Sequence, residues 1–207
     1  MSELRVVLLG DSWSDRSSVA KFLLGQAALI TKEEPDRCVQ IRGLIQRTNV
    51  VLINTPDILY TSEHTLREHV QDCIRLSAPG PHVFLLVLQS ETFTELHKGS
   101  LIKVLELFSN ESFNHSLVLI STPRERSSHL HENVRNLHRP PLQDMIRRCS
   151  HRSMRLAEFR LSELLRNMRQ IIETNYGRHV LCDHPSMRCR TEARVPLGSA
   201  PSVGKSQ

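Results

Sequence analysis

The opening stretch of the chain places the strongest limit on its fold. Residues 4–9 form a short run rich in apolar and β-branched side chains, which ends at Gly10. A polar loop follows, and then a helix-forming stretch from Ser18 to Leu24 that Gly25 terminates. Strand, loop and helix in this order are the setting of a phosphate-binding loop, where backbone N–H groups at a helix N-terminus hold an anion.

The match to that motif is only partial. The signature is Gly, four residues, Gly-Lys and then Ser or Thr, and Gly10, the loop length and Ser17 agree with it. Asp15 replaces the second glycine, and at roughly 5 Å and an effective dielectric of about 20 its charge repels an anion by about 3 kcal/mol. Arg16 replaces the lysine with a planar fork that needs more room. An ordinary strand, exposed turn and surface helix is the alternative interpretation.

If the loop binds phosphate, the hydroxyl that follows Arg16 is the expected Mg²⁺ ligand, Ser17. If the loop is instead collapsed, we expect Asp15 to form an ion pair with Arg16. The candidate phosphate-binding residues are Gly10, Asp11, Ser12, Asp15, Arg16, Ser17 and Ser18.

The rest of the chain alternates apolar strands with amphipathic helices. Strands are predicted at residues 39–45, 49–53, 82–88 and 117–120, and helices at 63–76, 94–108, 142–148 and 161–174. In the second of these helices the residues predicted to face inward are Leu96, Leu101, Val104, Leu105 and Phe108. This order predicts an α/β fold with a doubly wound, mostly parallel sheet and helices on both faces. Ligands of such folds bind at the carboxyl ends of strands, where Gly10 and Asn54 would both lie.

Composition limits the classes of partner. The chain has 207 residues, enough for one full domain, with 39% hydrophobic and 24% charged residues, as is usual for a soluble protein. An aromatic content of 4% argues against a nucleic-acid partner, because such surfaces stack bases on aromatic rings. The net charge of +5 comes largely from scattered arginines in the last third, which indicates a solvated basic face.

Cysteine usage and apolar runs predict a cytoplasmic protein. The five cysteines are odd in number and widely spaced, which favours reduced thiols. The N-terminus lacks the apolar region of a signal peptide. The run at residues 83–88 has the length of a buried strand, so we expect no integral membrane segment.

The end of the chain differs from the rest. We assign residues 1–176 to the folded domain and predict that residues 177–207 form a disordered tail, because residues 196–207 are rich in Pro, Gly and Ser. Cys182, His184 and Cys189 are a weak alternative as zinc ligands, since only three residues at unusual spacing are present.

Residues 3–175 resemble the GIMAP family, the AIG-type G domains named as GTPases of immunity-associated proteins. The most specific part is the stretch 80–88, followed by Phe93-Thr94 and residues 104–108, which is similar to the segment that distinguishes this family from other small G proteins. The resemblance implies a Ras-like G domain that binds GTP or GDP with Mg²⁺. It also implies self-assembly on membranes in the GTP state.

The switch motifs depart from that family pattern. Pro35 stands where the resemblance implies a Mg²⁺-contacting threonine, and Asn54-Thr55-Pro56-Asp57 stands where the family has Asp-Thr-Pro-Gly. Asn54 cannot supply a carboxylate charge near the metal, and Asp57 cannot offer a glycine N–H freely to a γ-phosphate.

The guanine-reading motif is also altered. It reads Ser121-Thr122-Pro123-Arg124-Glu125, in which only Glu125 could pair with the N–H donors of the base. Residues 153–157 contain no asparagine for the other side of the base.

Two functions therefore remain open. The first is weak or vestigial guanine-nucleotide binding with hydrolysis lost, since hydrolysis needs charge neutralisation and a positioned water. The second is a nucleotide-free pseudo-GTPase that acts as a protein-interaction module through the basic region at residues 135–169, with self-association among the expected contacts. A competent GTPase has the least support.

Overall fold

A computed structural model of the chain describes residues 3–25, 33–59, 61–121, 139–158 and 160–182. Short 3₁₀ turns at Asn110–His115 and Leu156–Glu158 connect some of the elements. The strands are β1 (Glu3–Gly10), β2 (Val39–Ile45), β3 (Thr48–Asn54), β4 (Val83–Gln89), β5 (Ser116–Ser121) and β6 (Ser153–Arg155). The helices are α1 (Trp13–Leu24), α2 (Glu63–Leu76), α3 (Glu95–Phe108), α4 (Pro140–Arg148) and α5 (Leu161–Thr174).

The strands form one sheet in the order β2-β3-β1-β4-β5-β6. Only the edge strand β2 is antiparallel to its neighbour; the remaining pairs are parallel. β1 is the centre of the sheet, with β3 on one side and β4 on the other. The predicted α/β architecture is confirmed.

Side-chain alternation along the strands builds a core on each face of the sheet. In β1, Val7 and Leu9 face a cluster that includes residues of α2, α3 and α4, whereas Val6 and Leu8 face a cluster that includes residues of α1 and α5. Because both faces are covered, the central strands are mostly apolar, as parallel strands usually are. The prediction of helices on both faces is therefore confirmed.

Apart from the start of α1, element bounds agree closely with the sequence pattern, with one wrong side chain and one unpredicted strand. α2 and α5 have the predicted bounds. Leu96 was predicted to face inward but is 83% exposed, because it lies five residues before Leu101 and so about 140° around the helix. The short strand β6 was not predicted; its three residues are not fully buried, so they lack an apolar signal.

A buried histidine joins the amino-terminal ends of β1 and β4. The Arg5 backbone N–H donates to His82 Nδ1 at 3.0 Å, which requires that nitrogen to be unprotonated. The carbonyl of His82 lies 2.9 Å from His115 Nδ1. Burial, reinforced by the Arg5 charge, lowers the pKa of His82 to about 4.

This histidine predicts acid sensitivity. Its pKa of about 4 in the folded state lies below the ordinary value of 6.5, so between these pH values the unfolded chain binds a proton that the native chain does not. The contribution of His82 to the free energy of unfolding is therefore complete above pH 6.5 and is lost as the pH falls toward 4. The loss from this group is on the order of 2 kcal/mol. Urea unfolding across this range measures the slope. His82→Asn keeps an acceptor near Nδ1 without titrating, so equal slopes for both proteins would contradict the assignment.

The described chain continues to pack after α5. Val180 is 2% exposed, and its N–H donates to the Pro81 carbonyl at 2.8 Å. Gly80 has φ +151°, and a Cβ there would lie 1.9 Å from the Val180 carbonyl oxygen, so this contact requires a glycine.

No helix in the described part of the chain is long and apolar enough to cross a membrane.

Candidate nucleotide site

The candidate site lies at the carboxyl ends of the central strands. Gly10 ends β1, Asn54 ends β3 and Gln89 ends β4, so all three lie at the same edge of the sheet. The chain runs from β1 to β2 and β3 on one side and then crosses from β3 to β4 on the other side of β1. Ligands of open α/β sheets bind at such a switch point. The expectation that Gly10 and Asn54 share this edge is confirmed.

Gly10 has a structural role that is independent of any ligand. A Cβ at this position would lie 2.1 Å from the Val87 carbonyl oxygen on β4. That distance is much shorter than a van der Waals contact. The atom that it would meet belongs to the backbone of β4, which cannot move without disturbing the sheet. The glycine is therefore required for the packing of β1 against β4, and its presence alone does not indicate phosphate binding.

The loop after Gly10 is shorter than the sequence pattern predicted. The helix was expected to begin at Ser18, but α1 begins at Trp13, and only Asp11 and Ser12 separate it from β1. Ser12 is the N-cap: its hydroxyl accepts from the Asp15 N–H at 3.3 Å, and its carbonyl accepts from the Arg16 N–H at 3.0 Å. Two backbone donors of the motif thus bond within the chain. The spacing Ser12-x-x-Asp15 is a capping signature that could have indicated this start.

The cap predicts a measurable stability effect. Ser12→Ala removes the acceptor for the Asp15 N–H and is expected to lower the free energy of unfolding by about 1 kcal/mol. Ser18→Ala makes the same chemical change on the exposed face of the same helix, where the Ser18 hydroxyl donates to the Ser14 carbonyl, and should change stability by less than about 0.5 kcal/mol. Urea unfolding of both variants checks this; equal effects would exclude the capping role.

Arg16 points into the site and is fully buried, with 0% of its surface exposed. Its guanidinium donates from Nη1 to the carbonyl of Gly10 and from Nη2 to Glu34 Oε1, the second contact at 2.5 Å. The guanidinium carbon also lies 5.9 Å from the centroid of the Trp13 ring, within the range of a cation–π contact. The positive charge expected to meet a phosphate is therefore bound to a carboxylate of the chain itself.

The surroundings of Arg16 are acidic. Burial lowers the pKa of Arg16, and the carboxylates of Glu34, Asp57 and Asp11 act against that shift by favouring its charged form. Burial also raises the pKa of Asp11. An entering phosphate would meet one guanidinium surrounded by carboxylates, which disfavours its binding.

Asp15 does not pair with Arg16, contrary to the expectation for a collapsed loop. Its Oδ2 accepts from Gln89 Nε2 at 3.0 Å. The Thr92 hydroxyl lies 3.1 Å from Gln89 Oε1 and 3.3 Å from Asp11 Oδ2. These contacts connect the start of α1 to the segment that follows β4. The partner of Asp15 is therefore the neutral Gln89 side chain, whereas Arg16 pairs with Glu34.

Ser17 and Asn54 carry buried polar atoms without hydrogen-bond partners among the described residues. They are Ser17 Oγ and both side-chain atoms of Asn54, which are 6% and 0% exposed as residues. Mg²⁺ prefers carboxylate and phosphate oxygens, and Asn54 offers a neutral amide. Within the described ranges there is no group of three or more His, Cys, Asp or Glu residues that could hold a metal. As arranged, these side chains supply two neutral oxygens and do not fit a Mg²⁺–nucleotide.

The other switch residues have structural partners. The Thr55 hydroxyl and N–H both donate to the Leu8 carbonyl, at 2.9 Å and 3.4 Å, so Thr55 fastens the end of β3 to β1. Pro56 is buried. Asp57 Oδ1 accepts from the Leu59 N–H at 3.0 Å. The candidate base-binding residue Glu125 lies outside the described residues, as do residues 122–124.

Sequence comparison identifies relatives. The model of the AIG1 family matches residues 4–186. GTPase IMAP family member 8 from Homo sapiens is 24% identical over 192 residues, which cover 86% of this chain and 29% of that protein. The Mus musculus protein of the same name is 24% identical over 160 residues, covering 72% of this chain and 23% of that protein. The chain thus spans less than a third of the length of these relatives.

Solved structures share the fold at low identity. Toc33 from Arabidopsis thaliana in complex with GDP and Mg²⁺ has a TM-score of 0.65 at 17% identity, covering 88% of this chain and 89% of that chain. The G domain of the T. maritima FeoB iron transporter has a TM-score of 0.50 at 15% identity, covering 82% and 98%. The family match over most of the chain and this G-domain fold lead to one conclusion: the chain is a GIMAP-type G domain and belongs to the AIG1 family.

Proposed function

We propose that this G domain binds guanine nucleotide only weakly and has no effective GTPase activity. The observation that carries the proposal is the ion pair between Arg16 and Glu34. In this pair the carboxylate of Glu34 neutralises the buried positive charge of the phosphate motif. Curated relatives are named as GTPases and a neighbouring structure holds GDP and Mg²⁺, which supports guanine nucleotide as the ligand class.

The ion pair makes nucleotide binding a competition. The Nη1 and Nη2 donors of Arg16 are already used, by the Gly10 carbonyl and by Glu34. A phosphate must displace the Glu34 carboxylate to reach the Arg16 donors. The displaced carboxylate stays close, because the chain segment that carries Glu34 still lies beside the site. At an effective dielectric of about 20, a like charge remaining about 5 Å away costs about 3 kcal/mol, or on the order of 100-fold in affinity.

Hydrolysis has even less support from the site. Phosphoryl transfer depends on neutralising the charge of the transferred group and on orienting a water. Asn54 adds no negative charge to hold a metal, and Asp57 already accepts from the Leu59 N–H. Ser17 Oγ and Arg16 Nε are buried without a partner among the described residues, which favours residual ligand binding.

Calorimetry on nucleotide-stripped protein tests the proposal. Titrations with GTP, GDP and ATP, each with Mg²⁺, should give dissociation constants well above the micromolar range for the native chain. The variant Asp15→Gly/Arg16→Lys restores the glycine and the compact charge of the motif, and should bind guanine nucleotides more tightly. Micromolar binding of GTP or GDP by the native chain would contradict weak binding, and phosphate release at a catalytic rate would contradict lost hydrolysis.

The second candidate is a nucleotide-free interaction module, and the same ion pair favours it. Because Glu34 already neutralises Arg16, the fold needs no ligand to balance that buried charge. This candidate predicts no heat from either the native chain or the double variant. We propose cytoplasmic protein partners in that case, including a second copy of the chain. In the chloroplast translocon components atToc33 and psToc159, which share this fold, dimerisation is important for GTPase activity.

A further inference from the structure

Two cysteines from different elements lie in direct contact beside the site. Cys38 immediately precedes β2, and Cys73 lies in α2. Their Sγ atoms are 2.7 Å apart, and Cys38 Sγ also lies 3.4 Å from the His69 carbonyl oxygen. Both residues are buried, at 9% and 2% exposed.

This pair differs from the other described cysteines. A disulfide bond has a length of about 2.05 Å, so the two sulfur atoms need to approach by only about 0.7 Å. Cys149 is fully buried in the core, with its pKa raised by burial to about 12, and Cys182 Sγ contacts the Leu107 carbonyl at 3.6 Å. Among the described cysteines, only Cys38 and Cys73 are placed to bond to each other.

We propose that Cys38 and Cys73 form a reversible disulfide, making them an oxidative modification site of this domain. The oxidant is a low-molecular-weight disulfide such as glutathione disulfide. The Cys38 thiolate attacks one of its sulfur atoms and releases the first small thiol, which leaves a mixed disulfide. Cys73 then attacks Cys38 Sγ and releases the second small thiol. Both cysteine protons end on the released thiols or in solvent, so two thiols are oxidised and one disulfide is reduced.

The surroundings set the order of these steps. Cys38 is 9% exposed against 2% for Cys73 and follows the exposed residues Asp36 and Arg37, so it is the cysteine that a small disulfide can reach first. Cys73 is enclosed in the core, and burial raises its pKa well above the ordinary value, which suits a thiol that reacts only with its neighbour. The short Sγ–Sγ distance offsets the low thiolate fraction by proximity.

The bridge would fix the segment that carries Glu34. Cys38 follows Glu34 by four residues, so a covalent bond from Cys38 to α2 restrains the approach of Glu34 to Arg16. The disulfide closes a loop over a separation of 35 residues. Restricting the unfolded chain in this way should raise Tm by about 5–10 °C. This inference goes beyond the proposed function and does not depend on nucleotide binding.

The test uses the full chain without nucleotide. The folded protein is incubated with glutathione disulfide, remaining thiols are alkylated after unfolding, and peptides are mapped by mass spectrometry with and without reduction. The expected result is a peptide pair joined through Cys38 and Cys73, loss of two hydrogens from the intact mass, and the rise in Tm. Cys149→Ala should retain all three effects, whereas Cys38→Ser should lose them.

Peptide mapping of the native chain decides the outcome even if Cys38→Ser does not fold. Full alkylation of both thiols after oxidation would overturn the proposal. So would a glutathione adduct on Cys38 that never resolves, or a bridge to a different cysteine. Reversal of the mass and Tm changes by dithiothreitol supports a reversible site, and bridging without reversal would contradict that part of the claim.

Discussion

Arg16→Ala is expected to lower the free energy of unfolding by about 3 kcal/mol. The side chain is fully buried, so its removal leaves a void beside Trp13 and takes a donor away from the Gly10 carbonyl. It also leaves Glu34 without its partner, although Glu34 is 34% exposed and can be solvated, which limits that part of the loss. Urea unfolding at neutral pH measures the change.

Arg16→Met separates charge from packing. Methionine fills much of the same volume without a charge to desolvate, so no large void is left beside Trp13. The unpaired Glu34 carboxylate is 34% exposed and can be solvated. We therefore expect Arg16→Met to lie within about 1 kcal/mol of the native chain. If Arg16→Ala were tolerated as well as Arg16→Met, the side chain would not be buried in the way described.

Glu34→Gln is expected to raise the affinity for GDP and for inorganic pyrophosphate by about 10- to 100-fold. The substitution keeps the shape of the side chain but removes the negative charge that competes with phosphate for Arg16. The gain should fall as salt rises, because screening weakens the repulsion that the native Glu34 exerts. Calorimetry with both ligands measures it, and pyrophosphate shows whether the effect arises at the phosphate part of the site.

Asp36→Asn is the matched control for Glu34→Gln. Asp36 is exposed and lies two residues further along the same segment, so this variant changes the net charge equally without touching the ion pair. It should leave both affinities within about threefold of the native values. Equal gains in the two variants would show a general charge effect and would contradict a specific competition at Arg16.

Much of the fold follows from local sequence patterns. The strands at the centre of the sheet are mostly apolar because both of their faces are covered, and this leaves a clear signal in the sequence. The capping residues Ser62 and Thr94 and the apolar periodicity fix the starts and ends of α2 and α3. Leu96 shows the limit of the method: an apolar residue near a helix start was assigned to the core, although its angular position faces solvent.

The sequence predicts where the site lies but not which side chains contact each other there. Gly10 and Asn54 follow from strand ends, whereas the partner of Arg16 is 18 residues away and belongs to no regular element. Asp15 bonds Gln89, 74 residues away, through a contact that no periodicity encodes. The sequence indicated a phosphate motif with altered charges; only the three-dimensional arrangement shows how those charges are balanced within the chain.

The nucleotide content of the purified chain tests the central claim most directly. The protein is purified without added nucleotide, denatured, and its released bases are quantified by chromatography against protein concentration. Because the Glu34 carboxylate already pairs with Arg16, we expect far less than one guanine nucleotide per native chain. The Glu34→Gln variant should carry more nucleotide per chain than the native protein. A native chain that carries one GDP or GTP per molecule would show that the site accepts nucleotide despite the ion pair, and would contradict the account.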